Sequence, residues 1–307
     1  MRKPWIVGVL LAGLLLGACG DPASGPEASP PTPAAPGVSR SPSTTTHQRP
    51  PASADTKGIA AKAPTVLYLG DSLAMENQKV LGKLLRDRLH ARYTSAPYSG
   101  TTLCDYLEGT ATRSLVPPAD KAAALVRSLQ PDFVVLQFWG NSWGYTPCMD
   151  GITYSANQHR YFSRYTADMK KLTEQISEAG GAKRPRIVWV LQGPDPITPD
   201  RVRRVNALYE VRAGASGDLL ADAGKAVSPA AARYTWAQYL PCTAYEHAHS
   251  AYCTQPGRDR TTLHRDDDYL HFCLGPTTST PKPCAVRSPG ILRITREITR
   301  AIADHVR

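Results

Sequence analysis

From residue 65 onward, short apolar runs of strand length alternate with stretches of helical period, and that alternation restricts the chain to few architectures. Thr65-Val66-Leu67-Tyr68-Leu69 is β-branched and apolar and stops at Gly70, the pattern of a buried strand. Leu73 to Leu89 carries Val80, Leu81, Leu84, Leu85 and Leu89 on one helical face. Arg92 to Ala96 reads as a second strand before the Ser99-Gly100 turn, and Ala119 to Leu129 as an Ala-rich helix. Pro131-Asp132 then introduces Phe133 to Phe138, a fully apolar strand. Tyr161 to Ala179 is a long amphipathic helix stopped by Gly180-Gly181. Arg186 to Leu191 is the next apolar strand, Asp200 to Ala213 a helix behind Pro199, and Asp218 to Ala221 a short strand. A last helix, Gly290 to His305, aligns Ile291, Ile294, Ile298, Ile302 and, just past its end, Val306 for packing on a sheet. Strands alternating with helices predict a mostly parallel sheet covered on both faces, a three-layer α/β/α sandwich. Ligands in such folds bind beyond the carboxyl ends of the strands, so the residues just after strands carry the information.

The N-terminal part reads differently. Arg2 and Lys3 precede an apolar run from Trp5 to Leu16, with small residues before Cys19. This is the pattern of an export signal, residues 1–18, and the run is shorter than the about 20 residues a bilayer span needs. Leu16-Gly17-Ala18-Cys19 resembles the bacterial lipobox, in which the cysteine is acylated and becomes the new N-terminus. Acyl chains on Cys19 would anchor the protein to the outer face of a membrane. Residues 19–63 are rich in Pro, Ser, Thr and Ala and too poor in large apolar residues to offset ordering entropy, so a disordered tether is expected. The folded domain is then 64–307.

Cysteine use agrees with export. Cys104, Cys148, Cys242, Cys253, Cys273 and Cys284 form an even set, which in an exported chain points to disulfides whose connectivity the sequence leaves open. Pairing neighbours is the simplest arrangement: Cys242 with Cys253, Cys273 with Cys284, and Cys104 with Cys148. No close Cys-x-x-Cys or His-x-x-x-His pair supports a metal site, and no glycine-rich phosphate loop follows a strand. No cofactor is expected. The formal net charge of +10 would favour anionic envelope polymers or lipid head groups. No helix carries the dense basic face with interleaved aromatics that nucleic acid would need.

The chemistry-bearing residues fall where the architecture puts ligands. Gly70-Asp71-Ser72-Leu73 lies between the first strand and the first helix. A serine at such a turn projects its hydroxyl above the sheet, with the N–H groups of the helix N-terminus behind it. The same position also suits an ordinary N-cap serine. Tyr98-Ser99-Gly100-Thr101-Thr102 follows the second strand, and Trp139-Gly140-Asn141-Ser142 follows the third. Near the C-terminus, Asp268 precedes His271 by three residues, close enough to meet on one turn; Asp266 and Asp267 are alternative carboxylates.

Ser72 in Gly-Asp-Ser-Leu, Gly100, Asn141, and His271 within Asp-x-x-His stand in that order along the domain. In this the chain resembles the SGNH (GDSL-type) hydrolases, and the SGNH domains associated with cell-surface polysaccharide O-acyltransferases. The resemblance implies a flavodoxin-like sheet and a triad of Ser72, Asp268 and His271. It further implies an oxyanion hole made by the Ser72 and Gly100 backbone N–H groups and the Asn141 amide. The family usually has Gly-x-Asn-Asp in its asparagine block, whereas this chain has Trp139-Gly140-Asn141-Ser142. Asp71 follows the family pattern as a capping residue. The expected activity is an extracytoplasmic serine esterase acting on acylated glycans or lipids. O-acyl transfer to cell-surface polysaccharide, or a non-catalytic glycan-binding module, are the alternatives.

Tyr98, Tyr106, Phe138, Trp139, Trp143 and Tyr145 could form a carbohydrate-facing wall or fill the core. His159, His247, His249 and His264 have no partner pattern and read as surface residues. Bridges Cys104–Cys148 and Cys273–Cys284 would tie down the oxyanion loops and the loop behind His271, respectively.

Overall fold

The computed structural model describes residues 63–139, 146–230, 232–276 and 283–306. Cys19, the export signal and nearly all of the expected tether lie outside the described residues, as do Asn141, Trp143 and Tyr145. Among the described residues, five parallel strands form the main sheet: β1 (Thr65–Gly70), β2 (Arg92–Ser95), β3 (Phe133–Gln137), β4 (Arg186–Val190) and β5 (Leu219–Ala221). Their order is β2-β1-β3-β4-β5, the flavodoxin-like winding. The order reverses at β1, so the crevice beyond the ends of β1 and β3 is the topological switch point.

The central strands β1, β3 and β4 are largely apolar on both faces because both faces are covered. Val66, Tyr68, Phe133, Val135, Val188 and Val190 point to one side. There they meet α1 (Ser72–Leu89) through Leu73, Leu81 and Leu85, and α7 (Pro289–Val306) through Ile291, Ile294, Ile298 and Ile302. The alternate residues Leu67, Leu69, Val134, Leu136, Ile187 and Trp189 point to the other side. That layer is α2 (Ala122–Leu129), α3 (Gln158–Gly180) and α4 (Pro199–Ser216), packed through Val126, Tyr161, Tyr165, Leu172, Val205 and Tyr209. Period-two strands between period-3.6 helices therefore give the expected three-layer sandwich.

A second, small sheet departs from the sequence expectation. β6 (Tyr239–Pro241) and β7 (Arg260–Thr262) pair antiparallel, with α6 (Ala244–Ala248) between them and the four-residue α5 (Ala223–Ala226) before them. Three-residue strands, one containing Pro241, are too short to show a period. The three disulfides are Cys104–Cys148, Cys242–Cys253 and Cys273–Cys284, the neighbour pairing expected from the sequence.

Candidate active site

The site starts with the turn from β1 into α1. Asp71 is the N-cap: it is fully buried, and its carboxylate accepts the Leu73 N–H at 3.0 Å. The Asp71 N–H donates to the Gln137 carbonyl at 3.2 Å, which locks the turn to the end of β3. Only glycine fits before it. A Cβ at Gly70 would lie 2.0 Å from that same Gln137 oxygen and 2.6 Å from the Ala74 Cβ. Ser72 follows as the first residue of α1, half-buried, at the positive end of an 18-residue helix.

His271 reaches this serine from a loop 199 positions away. Its Nε2 lies 3.0 Å from Ser72 Oγ, and its Nδ1 lies 3.0 and 3.3 Å from the two oxygens of Asp268. The carboxylate can only accept, so Nδ1 carries the hydrogen and Nε2 is free to accept from the serine hydroxyl. Asp268 Oδ1 also accepts the backbone N–H groups of Leu270 and His271 at 3.1 and 3.0 Å, an Asx turn that presents the imidazole. The alternative carboxylates point elsewhere: Asp266 accepts from Gln238, and Asp267 pairs with Arg265.

Burial favours uncharged forms of both partners, and their contact overrides it. Burial pushes the Asp268 carboxyl up, yet the hydrogen bonds from the His271 ring and main chain, with the ring's charge, hold it well below the usual carboxylate range. Burial pulls His271 down, but the hydrogen bond to Asp268 and the charges of Glu76, Asp268 and Asp71 leave it above the ordinary histidine value.

The Gly100 loop is fastened to the same turn. The Gly70 carbonyl accepts from the Tyr98 N–H at 2.9 Å, Thr101 Oγ1 at 3.2 Å and the Tyr106 hydroxyl at 2.8 Å. Gly100 itself has φ of +78°, a conformation glycine adopts without strain. Cys104, just beyond, is bridged to Cys148. The pair sits beside Asp105, but sulfurs bonded to each other are not thiolate ligands, so this cluster is not a metal cradle.

Two residues of this neighbourhood were missed or misread from the sequence. His264 is buried rather than on the surface. Its Nδ1 donates to the His271 carbonyl at 3.0 Å, while its ring stacks on Trp236 and tilts against Phe272. Burial lowers His264 to about 4, against the pull of its bond to His271, so it is neutral at ordinary pH. Nothing in the spacing of His264 distinguished it from the exposed His159, His247 and His249. Glu76 is buried on α1 and accepts the Phe272 and Cys273 N–H groups at 2.9 and 3.1 Å. A signal for it existed, because it falls among the apolar positions of the α1 stripe.

Of the two readings open for the nearby aromatic residues, core filling holds for Tyr106, Phe138 and Trp139. Tyr106 and Phe138 are fully buried and contact each other edge to face, and Trp139 is buried against Phe272. These rings form the support beneath the His271 loop and the β3 end. Their size and apolar surroundings drive them inward, so they offer no face to a sugar. Tyr98 is half-buried, its hydroxyl bonded to Asp120.

No protein-family model matches the chain, and no curated protein matches it. Solved structures do. A structure assigned to the lipolytic G-D-S-L family from Desulfitobacterium hafniense DCB-2 is 10% identical, with a TM-score of 0.44, covering 78% of this chain and 99% of its own. The Clostridium thermocellum family 3 carbohydrate esterase is 12% identical, with a TM-score of 0.43, covering 79% and 96%. The periplasmic domain of a Salmonella ser. Paratyphi A lipopolysaccharide acetyltransferase is 12% identical, with a TM-score of 0.42, covering 80% and 85%. The structures this chain is similar to are thus a G-D-S-L lipolytic protein, an esterase and an acetyltransferase domain.

Proposed function

We propose that this chain is a serine-dependent carboxylester hydrolase that acts outside the cytoplasm on O-acyl groups of envelope glycans or on acyl lipids. The observation that carries the proposal is the unbroken hydrogen-bonded path Ser72 Oγ–His271–Asp268 at the carboxyl end of β1.

In this reading His271 Nε2 takes the Ser72 proton as Oγ bonds to the ester carbonyl carbon. The carbonyl electron pair moves onto oxygen and gives a tetrahedral oxyanion. The Ser72 N–H, at the start of α1, and the Gly100 N–H are the donors assigned to that oxyanion, with the Asn141 side chain as a third. Collapse breaks the bond to the alkoxide, which leaves with the proton from His271. Water then repeats the sequence on acyl-Ser72 and releases the acid. Asp268 stays ionised throughout and stabilises the imidazolium.

The His271 side chain is 32% exposed and Ser72 half-buried, so an acceptor can approach acyl-Ser72. Water as that acceptor gives hydrolysis, and a sugar hydroxyl would give O-acyl transfer through the same intermediate. Three disulfides support an oxidising, extracytoplasmic location. Membrane attachment through acylated Cys19 belongs to the same proposal, and intact-mass analysis of the membrane-extracted protein would check it. The activity is tested by comparing short and long p-nitrophenyl ester hydrolysis by the oxidised protein and its Ser72→Ala variant. The proposal expects hydrolysis that the substitution abolishes. Equal rates in both would overturn it.

A further inference from the structure

Glu76 places a carboxylate where the pattern of α1 calls for an apolar side chain. It sits four residues after Ser72, among the buried positions Leu73, Leu81 and Leu85. A buried carboxylate is costly unless its oxygens are used. Both are used: Oε1 accepts the Phe272 N–H at 2.9 Å, and Oε2 accepts the Cys273 N–H at 3.1 Å. The Glu76 backbone carbonyl also accepts the Cys284 N–H at 3.1 Å, and Cys284 is bridged to Cys273. One residue of α1 thus holds both ends of the disulfide-closed segment that begins two residues after His271. An apolar side chain would fill the same space but could accept neither hydrogen bond.

We propose that Glu76 is a positioning residue for His271, fixing its loop to the serine-bearing helix and, as an anion, stabilising the imidazolium that forms when His271 takes the Ser72 proton. This rests on the triad reading above. The other titratable groups facing the pair are Asp268 and His264 from the histidine loop, Asp71 at the start of α1, and Tyr68 from β1. The segment ahead of α7 brings the disulfide-bonded Cys284 and the Ser288 hydroxyl, neither of which titrates. Asp268 is ionised and His264 neutral across the working range, so Glu76 and His271 are the groups that change.

Burial pushes Glu76 up to about 7, against the opposing pull of the His271 charge and its two backbone hydrogen bonds. The Glu76 charge in turn raises His271. The two therefore titrate as a coupled pair. Protonating the imidazole drives Glu76 toward its anion, and that form accepts both loop N–H groups best. The clamp is tightest at the moment the imidazolium forms.

The test is an NMR pH titration of the oxidised full-length protein carrying 13C-labelled glutamate carboxyls and labelled histidine rings. Wild type, Glu76→Gln and Glu76→Asp are compared, with fluorophosphonate labelling rates measured in parallel. In wild type the Glu76 carboxyl should titrate near pH 7. In Glu76→Gln, His271 should titrate at lower pH, the acid limb of labelling should move with it, and the plateau rate should fall about 10- to 100-fold. Glu76→Asp keeps the charge and should restore the His271 midpoint without restoring the full rate. A Glu76 that stays protonated throughout the working range overturns the proposal, and so does an unchanged His271 midpoint in Glu76→Gln. If Glu76→Gln does not fold, Glu76→Asp decides: its shorter side chain cannot hold both N–H groups, so a full labelling rate in that variant overturns the proposal. Because the ring and carboxyl signals need no turnover, a wild type that titrates as expected but neither labels nor hydrolyses would instead count against the triad reading.

Discussion

His271 takes part in proton transfer only while its Nε2 is unprotonated, and its surroundings favour the protonated ring. The proposed activity should therefore rise with pH, with an acid-limb midpoint above about 6.5, the ordinary histidine value. The stability linkage has the opposite sense. A raised folded-state value contributes stability that is present below about pH 6.5 and lost as pH rises through the folded value. Asp268→Asn removes the hydrogen-bonded charge that raises the ring. It should shift the acid limb to lower pH and cut the plateau rate by about 10² to 10⁴. Fluorophosphonate labelling rates against pH would measure both. Gly70 gives a purely steric prediction at the same scale. Gly70→Ala drives a methyl into the Gln137 carbonyl, separating β1 from β3 directly below Ser72. Overpacking of this kind costs about 1–3 kcal/mol, so both the melting temperature and the labelling rate should fall, as melts and labelling of the purified variant would show.

Among the elements, the histidine loop depends most on cross-links. It is tied to α1 through Glu76, to β7 through His264 close behind that strand, and to the start of α7 through Cys273–Cys284. Gly290 of α7 leaves room for Phe272, since a Cβ there would lie 2.4 Å from that ring. Replacing Cys273 and Cys284 with Ser should cost about 2–3 kcal/mol for a loop of this length. It should also lower the labelling rate of the folded fraction, because the imidazole loses a restraint. The bridge Cys242–Cys253 has the same separation of 11 residues but closes the loop carrying α6. Its removal should cost similar stability and leave the labelling rate of folded molecules within about twofold. Denaturant melts combined with active-site titration separate the two outcomes. The elements that the sequence made legible are those with a clean period. β1, β3 and β4 are apolar over most of their length because both faces are covered, and α7 shows its stripe because it packs on the sheet. β6 and β7 were illegible because three residues cannot establish a period and their pairing depends on tertiary context.

At the scale of the whole molecule, the parallel sheet brings together residues that are far apart in sequence. Ser72 stands beyond β1 at the point where strand order reverses, and the Gly100 loop is tied to the end of the same strand. Asp-x-x-His spacing was enough to single out Asp268 and His271, because three residues make one turn and the contact is local. The supports of the site were less legible for the opposite reason. Glu76 stood out as a carboxylate among the apolar positions of α1, but the N–H groups it holds lie 196 and 197 positions away, and His264 binds a carbonyl seven positions on; main-chain groups carry no residue-specific signal. The aromatic residues near the site could be read as wall or core, and burial decides for the core at Tyr106, Phe138 and Trp139. Intact-mass spectrometry of the oxidised protein after treatment with a fluorophosphonate shows whether Ser72 is a nucleophile activated by His271. A single adduct should map to Ser72 and disappear in both Ser72→Ala and His271→Ala. A folded wild type with no adduct, or one that persists in Ser72→Ala, would contradict that role for Ser72.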